Sequence, residues 1–311
     1  MENGKSNTAG FNDRVLLIDK PVGVTSFKAL DEIRRITGVK KIGHSGTLDS
    51  FASGLLVVCT GRATRFTRYF LDHDKAYSGK VRLGVITDTC DPSGDVIGGR
   101  PPVDLNEESL NAVRTRFVGE LSQKPPLYSA LKVKGQRASD LTRRGVEVDL
   151  QERKVNIRHL DIAWDENDPA LLRLEVVCSK GTYIRSLARD IGDFLGCGAY
   201  LEALRRTVSG GFLVSEAVSP GELVQFREGR NPGKKFLLRP EEALEDMGKV
   251  FIGDDAVKRV LNGVSLKRED VKDIQFVEGK PYLVMDSRRN LLAIAEIDME
   301  PWRVKYLNVI N

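Results

Sequence analysis

Cysteine and histidine are scarce in this sequence, and neither occurs at metal-ligand spacing. The 311 residues include three histidines and four single cysteines, Cys59, Cys90, Cys178 and Cys197. A zinc site in a protein needs such residues in closely spaced pairs, so the sequence predicts no metal site. Isolated cysteines are typical of small buried apolar side chains, with a disulfide or a reactive thiol as the alternative.

Long hydrophobic runs and cofactor motifs are also absent. No stretch approaches the roughly 20 apolar residues of a membrane helix. The polar start, MENGKSNTAGFN, lacks the apolar core of a secretory signal. We therefore expect a cytoplasmic protein without membrane contact and with a flexible tail over residues 1–13. The sequence has no GxGxxG, P-loop or HExxH motif, so we expect no cofactor.

Charge is nearly balanced over the whole chain but not locally. The net charge is +4, whereas residues 114–158, called here the basic segment, hold eleven Lys and Arg against five Asp and Glu, a local excess of +6. This pattern indicates contact with a polyanion, although a solvated charged face explains it equally well. The run PPLYSALKVKGQR combines prolines, one tyrosine and basic residues, which suits contact with an RNA backbone.

Apolar periodicity predicts strands alternating with helices before a small β-rich module. Residues 15–19 and 55–59 form buried-type runs, and a helical repeat lies between Ser26, a candidate N-cap, and Gly38. The run GRNPG at 229–233 is the strongest linker signal. We expect a larger domain over 14–240, with the basic segment as an insertion, and a β-rich C-terminal module over 248–311.

Two runs carry residues suited to catalysis. In GHSGTLDSFASGLL, glycines frame a loop that bears His44 and Asp49, and a carboxylate presented in this way suits a nucleophile or general base. The alternative is an aspartate that satisfies a turn. In CSKGTYIR, Arg185 lies in the predicted first turn of a helix, where it suits pairing with a carboxylate from another loop or, alternatively, simple exposure to solvent.

Five ordered runs together resemble the TruB family of tRNA pseudouridine-55 synthases. They are LLIDKPVGVTS, GHSGTLDSFASGLL, KAYSGKVRLG, PPLYSALKVKGQR and SKGTYIRSLARDIG. The resemblance covers residues 14–240, and residues 250–311 resemble a PUA RNA-binding module. It implies an α+β pseudouridine synthase fold, with a mixed, mainly antiparallel central sheet flanked by helices, plus a small C-terminal β-rich PUA domain.

The resemblance also implies an activity and the residues that perform it. Uridine 55 in the tRNA T loop would be flipped out and isomerised by a monomer that needs no metal, cofactor or obligatory protein partner. Asp49 corresponds to the nucleophile, Arg185 to the arginine that pairs with it, and Tyr77 to the tyrosine that stacks on the target base and assists proton transfer. The implied substrate-binding residues are His44, which fills the vacated space, Tyr183 and Leu204 in the base pocket, and Lys20 with Pro21 beneath the active-site loop. The charge pattern adds Lys132, Arg137, Arg143 and Arg144 as RNA-backbone contacts.

The sequence departs from the family pattern at two places, and two alternative functions compete with this interpretation. Ser50 follows Asp49 where the family has proline, and Ala138-Ser139 replaces a family tyrosine. The first alternative is the dyskerin-like branch, in which a guide RNA selects the uridine, but the PPLYSALKVKGQR run and the lack of a Lys-rich tail favour the stand-alone type. The second is a non-catalytic RNA-binding protein. A complete set of three catalytic residues favours the enzyme, because binding alone does not require it.

Overall fold

The chain is described by a computed structural model that covers residues 10–102, 105–133 and 135–310. Residues 1–9 of the predicted flexible tail lie outside these ranges. Residues 10–13 correct that prediction, because the Phe11 side chain is only 4% exposed and packs edge-on against Phe226. The Thr60 hydroxyl also donates a hydrogen bond to the Phe11 carbonyl at 2.6 Å. The buried ring fixes the chain upstream of the first strand.

The helices and strands of the described residues follow one another in an α+β order. The strands are β1 (Val15–Lys20), β2 (Ile42–His44), β3 (Ser53–Thr60), β4 (Lys75–Leu83), β5 (Ile86–Thr87), β6 (Val96–Gly98), β7 (Gly119–Gln123), β8 (Lys132–Val133), β9 (Gln136–Arg137), β10 (Arg153–Asp165), β11 (Asp168–Cys178), β12 (Ala199–Ser209), β13 (Phe212–Leu213), β14 (Leu237–Leu238), β15 (Gly248–Ile252), β16 (Val271–Gln275), β17 (Tyr282–Met285), β18 (Leu291–Met299) and β19 (Trp302–Val309). The helices are α1 (Ser26–Thr37), α2 (Thr67–Leu71), α3 (Glu107–Phe117), α4 (Ala138–Arg143), α5 (Ile184–Phe194), α6 (Pro220–Arg227), α7 (Pro240–Ala243) and α8 (Asp254–Leu261).

A large mixed sheet forms the centre of the molecule. Its strand order is β14-β1-β3-β12-β4-β11-β10-β7, with β2 and β13 attached to β3 and β12. All the pairings are antiparallel except the short parallel contact between β12 and β3. This architecture confirms the predicted fold class. The four cysteines are buried and unbonded, as predicted from their isolated positions.

Helix α1 begins one residue earlier than the sequence predicted. Thr25 is the N-cap, and its side chain accepts a hydrogen bond from the Lys28 amide. Ser26 instead uses its hydroxyl to hold the backbone of Leu48, donating to the carbonyl and accepting from the amide at 2.9 Å each. The predicted end at Gly38 is confirmed, because that residue is left-handed with φ of 72°. Ser26 therefore links the helix to the loop that carries Asp49.

The basic segment is not one insertion. Its first part belongs to α3 and to β7, which pairs with β10 at the edge of the sheet, and its last residues belong to β10 itself. Only the 124–152 segment leaves the sheet. It holds six Lys and Arg and four Asp and Glu, which leaves an excess of +2 rather than +6. Residues of α3 and of the strands β7 and β10 therefore carry the other +4 of the predicted charge excess.

A second sheet, with the order β16-β15-β17-β18-β19, forms the C-terminal module. The GRNPG run lies within the larger domain, because the chain returns to the central sheet through β14 before β15 begins the second sheet. Buried residues of the module, Leu283 and Ile294 among them, join the hydrophobic cluster formed by β1, β3 and α1. Across the described ranges, no helix has the length and apolar character needed to cross a membrane.

Candidate active site

Residues 45–52, called here the Asp49 loop, connect β2 to β3 and are held by hydrogen bonds over residues 48–52. Besides the Ser26 contact with Leu48, the Gly23 amide donates to the Ser50 carbonyl at 2.7 Å. The buried Lys20 ammonium donates to the Ala52 carbonyl at 2.6 Å. These bonds fix the loop from β1, from the turn after it and from α1. Ser50 thus occupies a well-anchored position even though the family has proline there.

Arg185 and Asp49 form the ion pair that the sequence predicted. Arg185 extends from the first turn of α5, and its side chain is only 5% exposed. Its Nε lies 2.9 Å from Oδ2 of Asp49, and its Nη2 donates to Oδ1 at 3.2 Å. The Asp49 side chain stays 39% exposed, so one face of the carboxylate is open to a ligand.

A second carboxylate, which the sequence analysis missed, shares the same guanidinium. Asp91 is buried, and its Oδ2 lies 3.2 Å from Nη1 of Arg185. The carbonyls of Thr89 and Tyr128 accept further hydrogen bonds from Arg185 at 3.0 and 2.9 Å. Arg185 therefore fixes the orientation of Asp49 while it is shared with Asp91.

The surroundings of Asp49 act on its protonation in opposite directions. Burial raises the pKa of the Asp49 carboxyl, and the neighbouring charge of Asp91 adds to this effect. The positive charges of Arg185 and Lys20 favour the carboxylate and limit the rise. A carboxylate with reduced solvation and a fixed orientation is suited to act as a nucleophile or base.

A cavity of about 280 Å³ opens beside Asp49. Tyr77, Tyr183 and Leu204 line it, as the sequence-based assignment of base-contacting residues requires. Burial raises the pKa of both phenols above the ordinary value for tyrosine. The space suits a small planar ligand held between apolar and aromatic side chains.

Lys20 and His44 lie outside this cavity lining. The Lys20 ammonium donates to the carbonyls of Pro21, Val24 and Ala52. Burial lowers the pKa of Lys20 to about 8, but three carbonyl acceptors require three N–H donors, so the charged form fits the geometry. His44, on β2, has a buried Nδ1 without a hydrogen-bond partner in the described residues, and burial lowers its pKa.

The four basic residues predicted to contact RNA are exposed and lie together on the 124–152 segment. Lys132 and Arg137 face each other on the β8–β9 hairpin, while Arg143 pairs with Asp140. The segment also contributes to the cavity wall through Ser129 and Ala130.

Sequence reasoning also missed two buried cations of the cavity wall, Lys75 and Arg206. Lys75 donates to the carbonyls of Leu71 and His73, and burial lowers its pKa to about 8. The signal for Arg206 was its strand position, two residues after Leu204 and therefore on the same face of β12. Asp91 had no comparable signal, because its loop shows no periodicity. No cluster of His, Cys, Asp and Glu suited to a metal occurs in the described parts of the chain.

Comparison with known proteins identifies the family. Residues 34–184 match the N-terminal domain of TruB family pseudouridylate synthases, and residues 185–244 match the C-terminal domain of tRNA pseudouridylate synthase B. The tRNA pseudouridine synthase B of Chromobacterium violaceum is 43% identical over 83% of this chain and 82% of that protein. The protein of the same name from Pseudomonas fluorescens is 39% identical over 91% of each chain.

Solved structures agree with this assignment. A chain in the crystal structure of a Cbf5–Nop10–Gar1 complex superimposes with a TM-score of 0.74 at 25% identity, covering 100% of this chain and 90% of that one. An H/ACA RNP bound to a substrate RNA containing 2′-deoxyuridine gives a TM-score of 0.71 at 25% identity, over 97% and 84% of the two chains. The chain belongs to the TruB family of pseudouridylate synthases.

Proposed function

We propose that this chain isomerises uridine to pseudouridine in tRNA, at position 55 of the T loop, with Asp49 as the nucleophile. The main observation behind this proposal is the partly exposed Asp49 carboxylate, which Arg185 holds beside a cavity lined by Tyr77. The curated relatives named tRNA pseudouridine synthase B support tRNA as the substrate. Tyrosine and leucine side chains beside a carboxylate suit a nucleobase attached to its ribose.

The uridine must leave its stack before it can reach Asp49. Extrusion from a folded RNA loop costs a few kcal/mol. Stacking of the extruded base on Tyr77 returns roughly 1–3 kcal/mol, with Tyr183 and Leu204 completing the pocket. We assign His44, outside the cavity lining, to the space that the base vacates in the RNA.

The reaction breaks the N1–C1′ bond, turns the base and joins C5 to C1′. Asp49 holds the substrate covalently while the base turns, through attack at C1′ of the sugar or at C6 of the base. Arg185 keeps the attacking carboxylate ionised and aimed at the cavity. Lys20 keeps the Asp49 loop in place through its carbonyl contacts. Tyr77 takes part in removing the C5 proton, which leaves the ring as the C5=C6 double bond is restored.

The chain acts as a monomer, without a guide RNA or protein partner. The structural neighbours come from complexes with other proteins, but the relatives at 39–43% identity are named for an activity on tRNA. A test uses the purified chain alone with a T-stem-loop that contains [5-³H]uridine. We expect tritium release, and none when uridine 55 is replaced by cytidine. Release that needs a guide RNA, or that persists in the cytidine substrate, contradicts the proposal.

A further inference from the structure

Arg206 is a buried cation without a carboxylate partner in the described residues. Its side chain is 1% exposed on β12, and no Asp or Glu of the described chain forms an ion pair with it. Its Nε donates to the Leu55 carbonyl at 2.6 Å and its Nη2 to the Gly46 carbonyl at 3.2 Å. Burial of an unpaired charge is costly, so its position calls for a role beyond packing.

The sheet places this guanidinium beside Tyr77. Arg206 lies directly opposite Tyr77 in the antiparallel pairing of β12 with β4, where side chains on one face are close neighbours. On its other side, β12 approaches β3 at Gly54, where a Cβ would lie 2.3 Å from the Arg206 carbonyl oxygen. This close approach lets the guanidinium reach Gly46 in the Asp49 loop. Tyr77 and Arg206 both line the cavity.

Two of the five guanidinium donors have backbone acceptors, both on neighbouring strands or loops. The Nη1 group has no backbone acceptor in the described part of the chain, and it lies 3.5 Å from the position that a Cβ on Gly46 would occupy. The positive charge of Arg206 acts on the Tyr77 hydroxyl by lowering its pKa, against the larger effect of burial, which raises it. Arg206 is thus fixed by β3 and the Asp49 loop, and its Nη1 donors, on the strand opposite Tyr77, are left without a backbone acceptor in the described residues.

We propose that Arg206 is a positioning residue for Tyr77, which holds the phenol oxygen and stabilises negative charge on it during removal of the C5 proton. This inference rests on the proposed function. After C5 joins C1′, C5 carries both that bond and its proton. The tyrosinate form of Tyr77 takes the proton, and the C5–H electron pair forms the C5=C6 double bond. After attack at C1′, the N1=C6 electron pair moves onto N1, which takes up a proton from solvent. After attack at C6, the Asp49–C6 bond breaks and its electron pair leaves with the carboxylate. The phenol then returns its proton to solvent, and no oxidant or reductant is needed.

The groups around Tyr77 determine in which direction the pKa of its hydroxyl should change when Arg206 is replaced. Burial raises the pKa of the Tyr77 hydroxyl, whereas Arg206 lowers it from β12. Cys178 on β11 and Asp49 on its loop both raise the pKa. Lys75 is a further cation in the lining of the cavity that Tyr77 faces. Removal of the Arg206 charge should therefore raise the pKa of Tyr77 further, so that less tyrosinate is present at any given pH.

The first experiment follows Tyr77 ionisation without substrate. The full chain is labelled with [4-¹³C]tyrosine, and the Tyr77 signal is assigned by its loss in Tyr77→Phe. We expect Arg206→Gln to move the Tyr77 titration to higher pH, with Arg206→Lys between that variant and wild type. Arg205→Gln is the matched control, because Arg205 is the next residue and instead pairs with Asp19 at 2.7 Å. An unchanged titration in both folded Arg206 variants overturns the proposal.

The second experiment measures C5 proton loss under single-turnover conditions on the T-stem-loop. We expect Arg206→Gln to slow tritium release by roughly 10- to 100-fold and to enlarge the isotope effect of [5-²H]uridine. In a Tyr77→Phe background, the same change should cost less than about threefold, because its partner is gone. An equal loss in both backgrounds contradicts a role through Tyr77. A wild-type chain that releases no tritium refutes the proposed function. The tyrosine titration still tests the Arg206–Tyr77 interaction in that case, because it needs no substrate.

Discussion

At the residue scale, the site depends on a guanidinium that serves two carboxylates. Arg185 contacts Asp49 and Asp91 from opposite ends of its planar fork, a geometry that lysine does not offer. Asp49 supplies the proposed nucleophile, and Asp91 limits how the arginine can rotate. The two aspartates therefore have separable effects.

Asp49→Asn should abolish isomerisation and leave tRNA affinity intact. Asparagine has nearly the same shape but cannot form the covalent adduct, and Arg185 keeps its Asp91 partner, so the fold should survive. We expect a loss of at least about a thousandfold in single-turnover rate with affinity within about threefold, from filter binding. Turnover within tenfold of wild type would falsify the assignment of Asp49.

Asp91→Asn should slow the chemical step without weakening RNA binding. The change removes the charge that holds Nη1 of Arg185, and we expect a rate loss of roughly 10- to 100-fold at saturating enzyme. Asp95→Asn is a matched control, because Asp95 is exposed in the same turn region and forms no ion pair among the described residues. Equal effects of the two changes would mean that Asp91 has no specific role.

The pH dependence follows from the ionisation of Asp49. Attack requires the carboxylate, and burial together with Asp91 raises the pKa of this group above its ordinary value of 3.8. The single-turnover rate should therefore fall as pH decreases toward that raised pKa. In Asp91→Asn, loss of the like charge should move the acidic limb to lower pH. A shift in the opposite direction would contradict this electrostatic account.

At the element scale, the 124–152 segment both contacts the site and presents basic side chains. The Tyr128 carbonyl binds Arg185, and Ser129 lines the cavity, so the start of this segment helps to build the active site. The β8–β9 hairpin farther along exposes Lys132 and Arg137. A role in binding alone applies only to this outer part.

The double change Lys132→Ala with Arg137→Ala should weaken tRNA binding and its salt dependence. If each side chain contacts one phosphate, the slope of log K against log salt should fall by roughly 0.7–0.9 per residue. Filter binding at several salt concentrations measures this slope. Lys154→Ala is the control, because Lys154 is ion-paired with Glu120 at 3.1 Å. A rate that stays low at saturating enzyme would show that the hairpin also supports catalysis.

At the scale of the whole molecule, the C-terminal module is joined to the larger sheet by packing and by hydrogen bonds. Asn308 on β19 accepts bonds from Arg68 at 2.7 Å and from Tyr69 at 2.9 Å through its Oδ1. Arg65 donates to the Val309 carbonyl at 2.8 Å. Because of these contacts and the shared hydrophobic cluster, we expect the C-terminal module to stabilise the larger domain.

Asn308→Ala should lower the melting temperature by about 2–4 °C. The change leaves the partly buried Tyr69 hydroxyl without its acceptor and removes one bond of the exposed Arg68, which costs about 1 kcal/mol. Calorimetry of the full chain measures it, with Asn167→Ala as a control at an exposed turn between β10 and β11. An unchanged melting temperature would mean that Asn308 contributes nothing to this contact.

Much of this protein could be predicted from local sequence. Apolar runs predict the strands β1 and β3, and a left-handed glycine predicts the end of α1 at Gly38. Composition predicts the buried single cysteines. Each of these signals acts over a few residues. The family resemblance pointed to Asp49, Arg185, Tyr77, Tyr183 and Leu204, and the structure places all of them around one cavity. Their roles in the reaction remain predictions.

Only the tertiary structure decided which charges act together. The charge excess of the basic segment is spread over helix α3 and the paired strands β7 and β10, and residue counts do not contain that arrangement. Asp91 and Arg206 lie far from Asp49 in the chain. Asp91 joins the site by pairing with Arg185, and the β12–β4 register brings Arg206 opposite Tyr77. Electrostatic interactions depend on distance and burial rather than on sequence separation. The sequence by itself therefore determined the nucleophile candidate and its paired arginine, while the fold determined the groups that tune them.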